Sequence, residues 1–139
     1  MTADEIIATL KLEPHPEGGF YAPTWVADGP GRAAGTAIYY LLRGADPHRW
    51  HKIDSAEIWH YYAGAPLVLS IAETEEGPAR DLILGPDILS GARPQIIIPP
   101  WHWQVARSTG DWTLVGCTVS PGFEFQHFTL ASEDFDIPR

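Results

Sequence analysis

The stretch whose reading decides the fold is Gly44-Ala45-Asp46-Pro47-His48-Arg49-Trp50-His51-Lys52-Ile53-Asp54-Ser55-Ala56-Glu57-Ile58-Trp59-His60-Tyr61-Tyr62-Ala63-Gly64. It holds three of the six histidines and two of the six tryptophans. Around Glu57 the side chains alternate with period 2. Glu57, Trp59 and Tyr61 share one face of a strand; Ile58, His60 and Tyr62 share the other. Both faces are rich in aromatics, so both are expected to be covered. A carboxylate on a covered face needs a cation, a hydrogen-bond donor or a ligand. Glu57 is therefore the first place to look for chemistry.

Outward from this stretch, short apolar runs alternate with turn residues. On the N-terminal side, Thr2 to Leu12 reads as a helix, with Thr2 and Glu5 as a capping box and Ile6, Ile7 and Leu10 as its apolar stripe. Glu13-Pro14-His15-Pro16 ends it. Strands are expected over 19–26, 36–42, 49–53 and 57–62. On the C-terminal side they are expected over 66–72, 80–84, 95–98, 103–106, 112–119 and 125–130, with a helical turn between Gly85 and Gly91. About ten short strands without intervening helices predict an all-β sandwich or barrel in one domain, residues 1–139.

The composition excludes several functions. The formal charge is −9 and no basic cluster exceeds two residues, which argues against nucleic acid and anionic membrane partners. No apolar run approaches the ~18 residues of a membrane span. The N-terminus lacks the pattern of a signal peptide, so a cytoplasmic location is expected. Cys117 is the only cysteine and sits in an apolar run, as a core thiol would. Gly-rich phosphate loops, Gly-x-Ser-x-Gly and Cys-x-x-Cys are absent.

From Gly44 to Gln104 the chain resembles the cupin superfamily, jelly rolls of the double-stranded β-helix type. In the first cupin motif, His51 falls on the first histidine, Glu57 on the glutamate and Gly64 on the closing glycine, while Ile53 stands where the second histidine belongs. In the second, Gly91 opens the motif, Pro99-Pro100-Trp101 occupies the turn, Gln104 falls on the histidine and Ser108 on the asparagine. The closer resemblance is to the DUF985 (Cupin_5) branch, described as predicted sugar epimerases. It is carried by Glu13 to Tyr21, Asp54 to Gly64, Leu84 to Asp87 and Val115 to Phe123.

The resemblance implies a cupin jelly roll with a short N-terminal helix and a small-molecule pocket. A catalytic cupin site offers three histidines and one glutamate, but Ile53 cannot ligate and Gln104 is a poor ligand. No tightly bound metal or other cofactor is therefore expected; a weakly bound divalent ion through His48, His51, Glu57 or His102 stays open. The reading is a metal-independent isomerase or epimerase on a sugar-like substrate, a carbohydrate or nucleotide-sugar. His51, oriented by Glu57, would be the base and Tyr61 or Tyr39 the acid. Trp59 or Trp103 would form an apolar wall, and Gln104 belongs to the same pocket. His15 and Glu17, in a turn fixed by Pro and Gly, are either a ligand clamp or a loop staple. The alternatives are a non-catalytic ligand-binding cupin and a metal-dependent oxygenase or isomerase. The apolar face of Ile58, His60 and Tyr62 predicts a homodimer.

Overall fold

A computed structural model describes residues 1–139. It begins with helix α1 (Ala3–Leu10), capped as expected: Thr2 Oγ1 accepts from the Glu5 N–H, and the Glu5 carboxylate accepts from the Thr2 N–H. The helix stops at Leu10 rather than Leu12, because Lys11 turns left-handed (φ 58°) to close it. Ile6 packs with Leu12 and Leu41, so α1 seals one outer side of a sheet.

Eleven strands follow. They are β1 (Glu13–Pro14), β2 (Phe20–Val26), β3 (Thr36–Arg43), β4 (His51–Ile53), β5 (Ala56–Gly64), β6 (Leu67–Ala72), β7 (Arg80–Leu84), β8 (Gln95–Ile98), β9 (Trp103–Ser108), β10 (Trp112–Ser120) and β11 (Phe128–Leu130). Two antiparallel sheets form, in the orders β1-β2-β3-β10-β5-β8 and β11-β4-β9-β6-β7. This is the expected jelly roll. Two local differences stand out. Glu13–Pro14 pairs with β2 instead of only ending the helix. Phe125–His127 is a single 3-10 turn ahead of β11, so the last strand starts three residues later than its apolar content suggests. No helix is long and apolar enough to cross a membrane.

The space between the sheets has two ends. At one end Leu42, Trp59, Leu67, Leu69, Leu84, Ile98 and Val115 form a closed apolar core. At the other end β3, β5 and β10, now with β2 and β4, line a cavity of about 220 Å³. A smaller cluster of Trp50, Trp103 and Ile137 lies beneath the C-terminal segment.

The outer side of the first sheet carries exposed apolar groups, with Tyr39, Tyr62 and Ile97 at 37%, 51% and 63% exposure. Pairing of β5 with β10 slips by one residue, so Tyr62 is extra in the ladder and its ring lies over Gly116. A Cβ on Gly116 would come within 2.3 Å of the Tyr62 hydroxyl.

Candidate active site

Three features bring ionisable groups to the open end. The first is strand alternation: it turns Glu57 inward from β5, and His51 and Ile53 inward from β4. The second is the turn Glu17-Gly18-Gly19. Gly18 (φ 112°) lies so close to the Pro47 carbonyl that a Cβ there would be 2.0 Å from its oxygen. Only glycine permits this approach. Arg49 N–H donates to the Glu17 carbonyl at 2.8 Å, and Tyr40 O–H donates to the Gly18 carbonyl. Together these contacts push the Glu17 side chain between His48 and His51. The third is the segment after β10. Gly122 N–H donates to Ala33 O (2.8 Å), Phe123 N–H to Thr36 Oγ1 (3.0 Å) and Arg32 Nε–H to Gly122 O (2.8 Å). Phe123 and Phe125 are thereby set into the cavity wall.

The partner of His51 is Glu17, not Glu57 as expected from spacing. His51 Nε2 lies 3.0 Å from Glu17 Oε2, and its Nδ1 lies 3.0 Å from the Arg49 carbonyl. A carbonyl oxygen only accepts, so Nδ1 donates. Burial alone would lower the His51 pKa and raise that of Glu17. The opposite charges, reinforced by the N–H groups, outweigh burial: His51 is raised and Glu17 is held well below the carboxylate range. With an acceptor 3.0 Å from each ring nitrogen, the geometry favours His51 as an imidazolium with both N–H groups committed. In that form the ring has no lone pair with which to act as a base.

Glu57 is held differently. Trp59 Nε1–H donates to Gln104 Oε1 at 2.8 Å, and Gln104 Nε2–H donates to Glu57 Oε1 at 2.8 Å. Burial, with a smaller contribution from the Glu17 charge, pushes Glu57 up to about 7 against the opposing pull of His51. Burial likewise drives the Cys117 thiol well above its ordinary value, which removes it as a nucleophile.

His15 accepts from the Glu17 N–H at Nδ1 (3.1 Å), so the neutral ring carries its proton on Nε2. Burial, with the charges of His51 and His48, lowers its pKa against the pull of Glu17. No protein acceptor takes the Nε2 proton, and the ring lines the cavity.

Glu17, His48 and His51 offer ligand atoms within 4.8 Å of one another, a group that could hold a metal ion. Their hydrogen bonds test the fit. Ala106 N–H donates to His48 Nδ1 at 2.8 Å, so Nδ1 holds the lone pair and Nε2 holds the proton. That Nε2 lies 3.3 Å from Glu17 Oε1 without a well-aligned hydrogen bond. Moving the proton to free Nε2 for a metal would set N–H against N–H at Ala106. With His51 held as an imidazolium, Glu17 alone keeps usable lone pairs; His51 would first have to release its Nε2 proton and His48 its bond from Ala106, so the three residues do not fit a metal as a set. Glu57 is outside this group. His102 lies on the turn before β9, with Nδ1 3.2 Å from the Pro100 carbonyl.

Of the remaining residues singled out in the sequence, His15 and Glu17 line the cavity with His51 and Glu57. Trp59 and Gln104 do not; they are fully buried and reach the site through Glu57. Tyr61 has the expected inward parity but lies at the other end of β5, packed on the core, with its hydroxyl donating to Gly64 O at 2.6 Å. Tyr39 faces outward beside Tyr62, at 6.3 Å between ring centroids. Trp103 belongs to the smaller cluster, with the Lys52 ammonium 4.8 Å from its ring. The residues that sequence reasoning missed are Tyr21, Trp25, Phe123 and Phe125. The signal for the last two was a Pro-Gly turn followed by aromatics two apart.

Comparison with known proteins places these features. No curated protein matches the chain. A structural-genomics protein from Shewanella oneidensis is 36% identical, with a TM-score of 0.89 over 95% of this chain and 85% of that one. A hypothetical protein from Leishmania major is 28% identical, with a TM-score of 0.85 over 92% and 86%. The Streptomyces nucleoside dehydratase Pac13 is 17% identical, with a TM-score of 0.59 over 89% and 90%, a likeness of fold alone. The sequence pattern of the family described as "Cupin superfamily (DUF985)" matches residues 4–131, and the chain belongs to that family.

Proposed function

We propose that the cavity is a metal-independent general acid–base site that isomerises a small sugar-like carbonyl compound. One observation carries this reading. Glu57, with a pKa near 7, shares an apolar cavity with a fixed imidazolium–carboxylate pair and with the free Nε2–H of His15. A base that is half ionised at neutral pH is matched to proton abstraction.

The step balances without an oxidant. The Glu57 carboxylate takes the proton from the carbon next to the carbonyl, and the electron pair moves onto the carbonyl oxygen. The His15 Nε2–H donates to that oxygen, and the His51 charge stabilises it at longer range. The proton of the adjacent hydroxyl passes to that oxygen, the electron pair of the O–H bond forms the new carbonyl, and the Glu57 acid protonates the former carbonyl carbon, which gives the isomer. Epimerisation needs a second acid, for which Tyr21 on the cavity wall is the candidate. The roles expected for His51 and Glu57 are thus exchanged, and Trp59 and Gln104 position the base.

A second reading is dehydration, in which the same carbanion expels a hydroxide from the adjacent carbon. It is favoured by the fold neighbour described as a nucleoside dehydratase, which has been solved with uridine.

The test is incubation with aldoses, ketoses and a nucleoside aldehyde in deuterated buffer, followed by proton NMR. The expected result is deuterium at the carbon next to the carbonyl with wild type and none with Glu57→Gln, unaffected by a chelator. Binding without exchange would make the protein a ligand-binding cupin instead. Exchange lost on chelation and restored by a divalent ion would promote the metalloenzyme reading. The exposed Tyr39, Tyr62 and Ile97 support the further proposal of a homodimer, which light scattering tests.

A further inference from the structure

We propose that the cavity takes an uncharged, hydroxylated ligand with one flat apolar face, a nucleoside or free sugar derivative, and rejects its phosphorylated form. This rests on the acid–base reading for the identity of the site but not for its chemistry.

The first argument is charge. No lysine or arginine lines the cavity. Arg32, which holds the segment before Phe123, has its guanidinium committed elsewhere. Its Nη1 and Nη2 donate to the two Asp54 oxygens at 2.8 Å each, Nη2 also donates to Ser55 Oγ at 3.0 Å, and Nε donates to Gly122 O. The one cation on the wall, His51, is neutralised by Glu17 and has both N–H groups engaged. The site is therefore neutral while Glu57 is protonated and negative once it ionises. A phosphate would enter a low-dielectric space with no partner and, above neutrality, against a like charge.

The second argument is shape. Phe123 and Phe125 meet edge to face at 4.9 Å between centroids, at an interplanar angle of 83°. Trp25 and Phe125 line the cavity yet remain 56% and 52% exposed, so aromatic surface stands open at the entrance. Open aromatic surface suits a nucleobase or the apolar face of a sugar ring. The third argument is polarity. The unpartnered His15 Nε2–H and the protonatable Glu57 present donors to ligand oxygens. A nucleotide-sugar, with its diphosphate, does not meet these conditions.

The experiment titrates the intact protein with two matched pairs, uridine against uridine 5′-monophosphate and D-fructose against fructose 6-phosphate. Calorimetry and thermal shift provide the readouts. We expect at least one neutral member to bind with Kd of roughly 1 mM or tighter. Its phosphorylated partner should bind at least about 30-fold more weakly at pH 8. Phe125→Ala should weaken the neutral ligand about 10-fold at unchanged melting temperature, since the ring is half exposed. Val26→Lys, at the cavity mouth, should narrow the gap between partners. A phosphorylated member that binds as well as its neutral partner overturns the proposal. So does the absence of binding by both neutral members at ~10 mM. D-fructose that binds but shows no deuterium exchange defeats the catalytic reading for sugars and leaves this one standing; fructose 6-phosphate that binds as well as fructose and exchanges does the reverse.

Discussion

The same inward faces of β3, β5 and β10 build both ends of the inter-sheet space, two residues apart. On β5 it is Trp59 in the core and Glu57 in the cavity; on β3, Tyr40 and Ile38; on β10, Val115 and Cys117. The β3–β10 ladder runs without a break through both ends, so the difference lies in what closes them. The core end is filled by β6 and β7 with Leu67, Leu69 and Leu84. At the other end β4 and the Glu17 turn contribute imidazoles and a carboxylate. Those charges satisfy one another but leave a void that aliphatic side chains would have filled. A scaffold rigid at one end can thus hold a carboxyl group away from its ordinary pKa at the other. The bridge between the ends is the relay from Trp59 through Gln104 to Glu57.

The sharpest way to break this contrast is to remove Glu17. Glu17→Ala leaves the His51 charge buried and unpaired, with an expected loss of about 3–5 kcal/mol near pH 6 in denaturant titrations. The sign with pH follows from the two shifts. Glu17 is depressed, so its contribution is present above the ordinary value of 4.5 and lost as pH falls through the folded pKa. His51 is raised, so its contribution is present below 6.5 and lost as pH rises through the folded pKa. The gap between Glu17→Ala and wild type should therefore narrow at alkaline pH.

Leu69→Ala at the apolar end should cost about 2–5 kcal/mol through the cavity it leaves. Its loss should not change between pH 5 and 9. Parallel pH profiles for the two variants would erase the proposed distinction between the ends.

Glu57→Gln should act in the opposite direction. The folded protein holds this proton up to about pH 7, whereas the unfolded chain releases it near 4.5. Wild-type stability should decline as pH rises through that window, by roughly 3 kcal/mol when complete. Glu57→Gln should flatten the decline in chemical denaturation at pH 5 and pH 8. A wild-type profile without that slope would mean that Glu57 ionises normally.

The smallest effect is expected for Trp59→Phe. Losing the donor to Gln104 should cost about 1–2 kcal/mol and loosen the amide that holds Glu57. Its diagnostic readout is a displaced pH–rate profile for the deuterium exchange. A change in stability alone would make Trp59 a packing residue.

Several of these features were readable in the chain itself. The capping box of Thr2 and Glu5, the period-2 alternation that turns Glu57 and Trp59 inward, and the turn signals between strands are local, because caps, strand parity and turns depend on residues a few positions apart. The cupin-like spacing of His51, Glu57 and Gly64 also lies within one short stretch. Which partner each group would find was not local. The sequence separation favoured His51 with Glu57, six residues on, over Glu17, thirty-four residues earlier. Only the packing of the Gly18 turn against Pro47 decides for Glu17. Parity placed Tyr61 inward but could not say which end of β5 faces the cavity. Tyr21, Trp25, Phe123 and Phe125 come from segments some hundred residues apart and meet only once β2 and the segment after β10 close around the same opening. The sequence by itself determined the strands, their faces and the family. The tertiary structure decided the ion pairs, the pKa of Glu57 and the shape of the cavity, because desolvation and charge pairing depend on distances in space rather than along the chain.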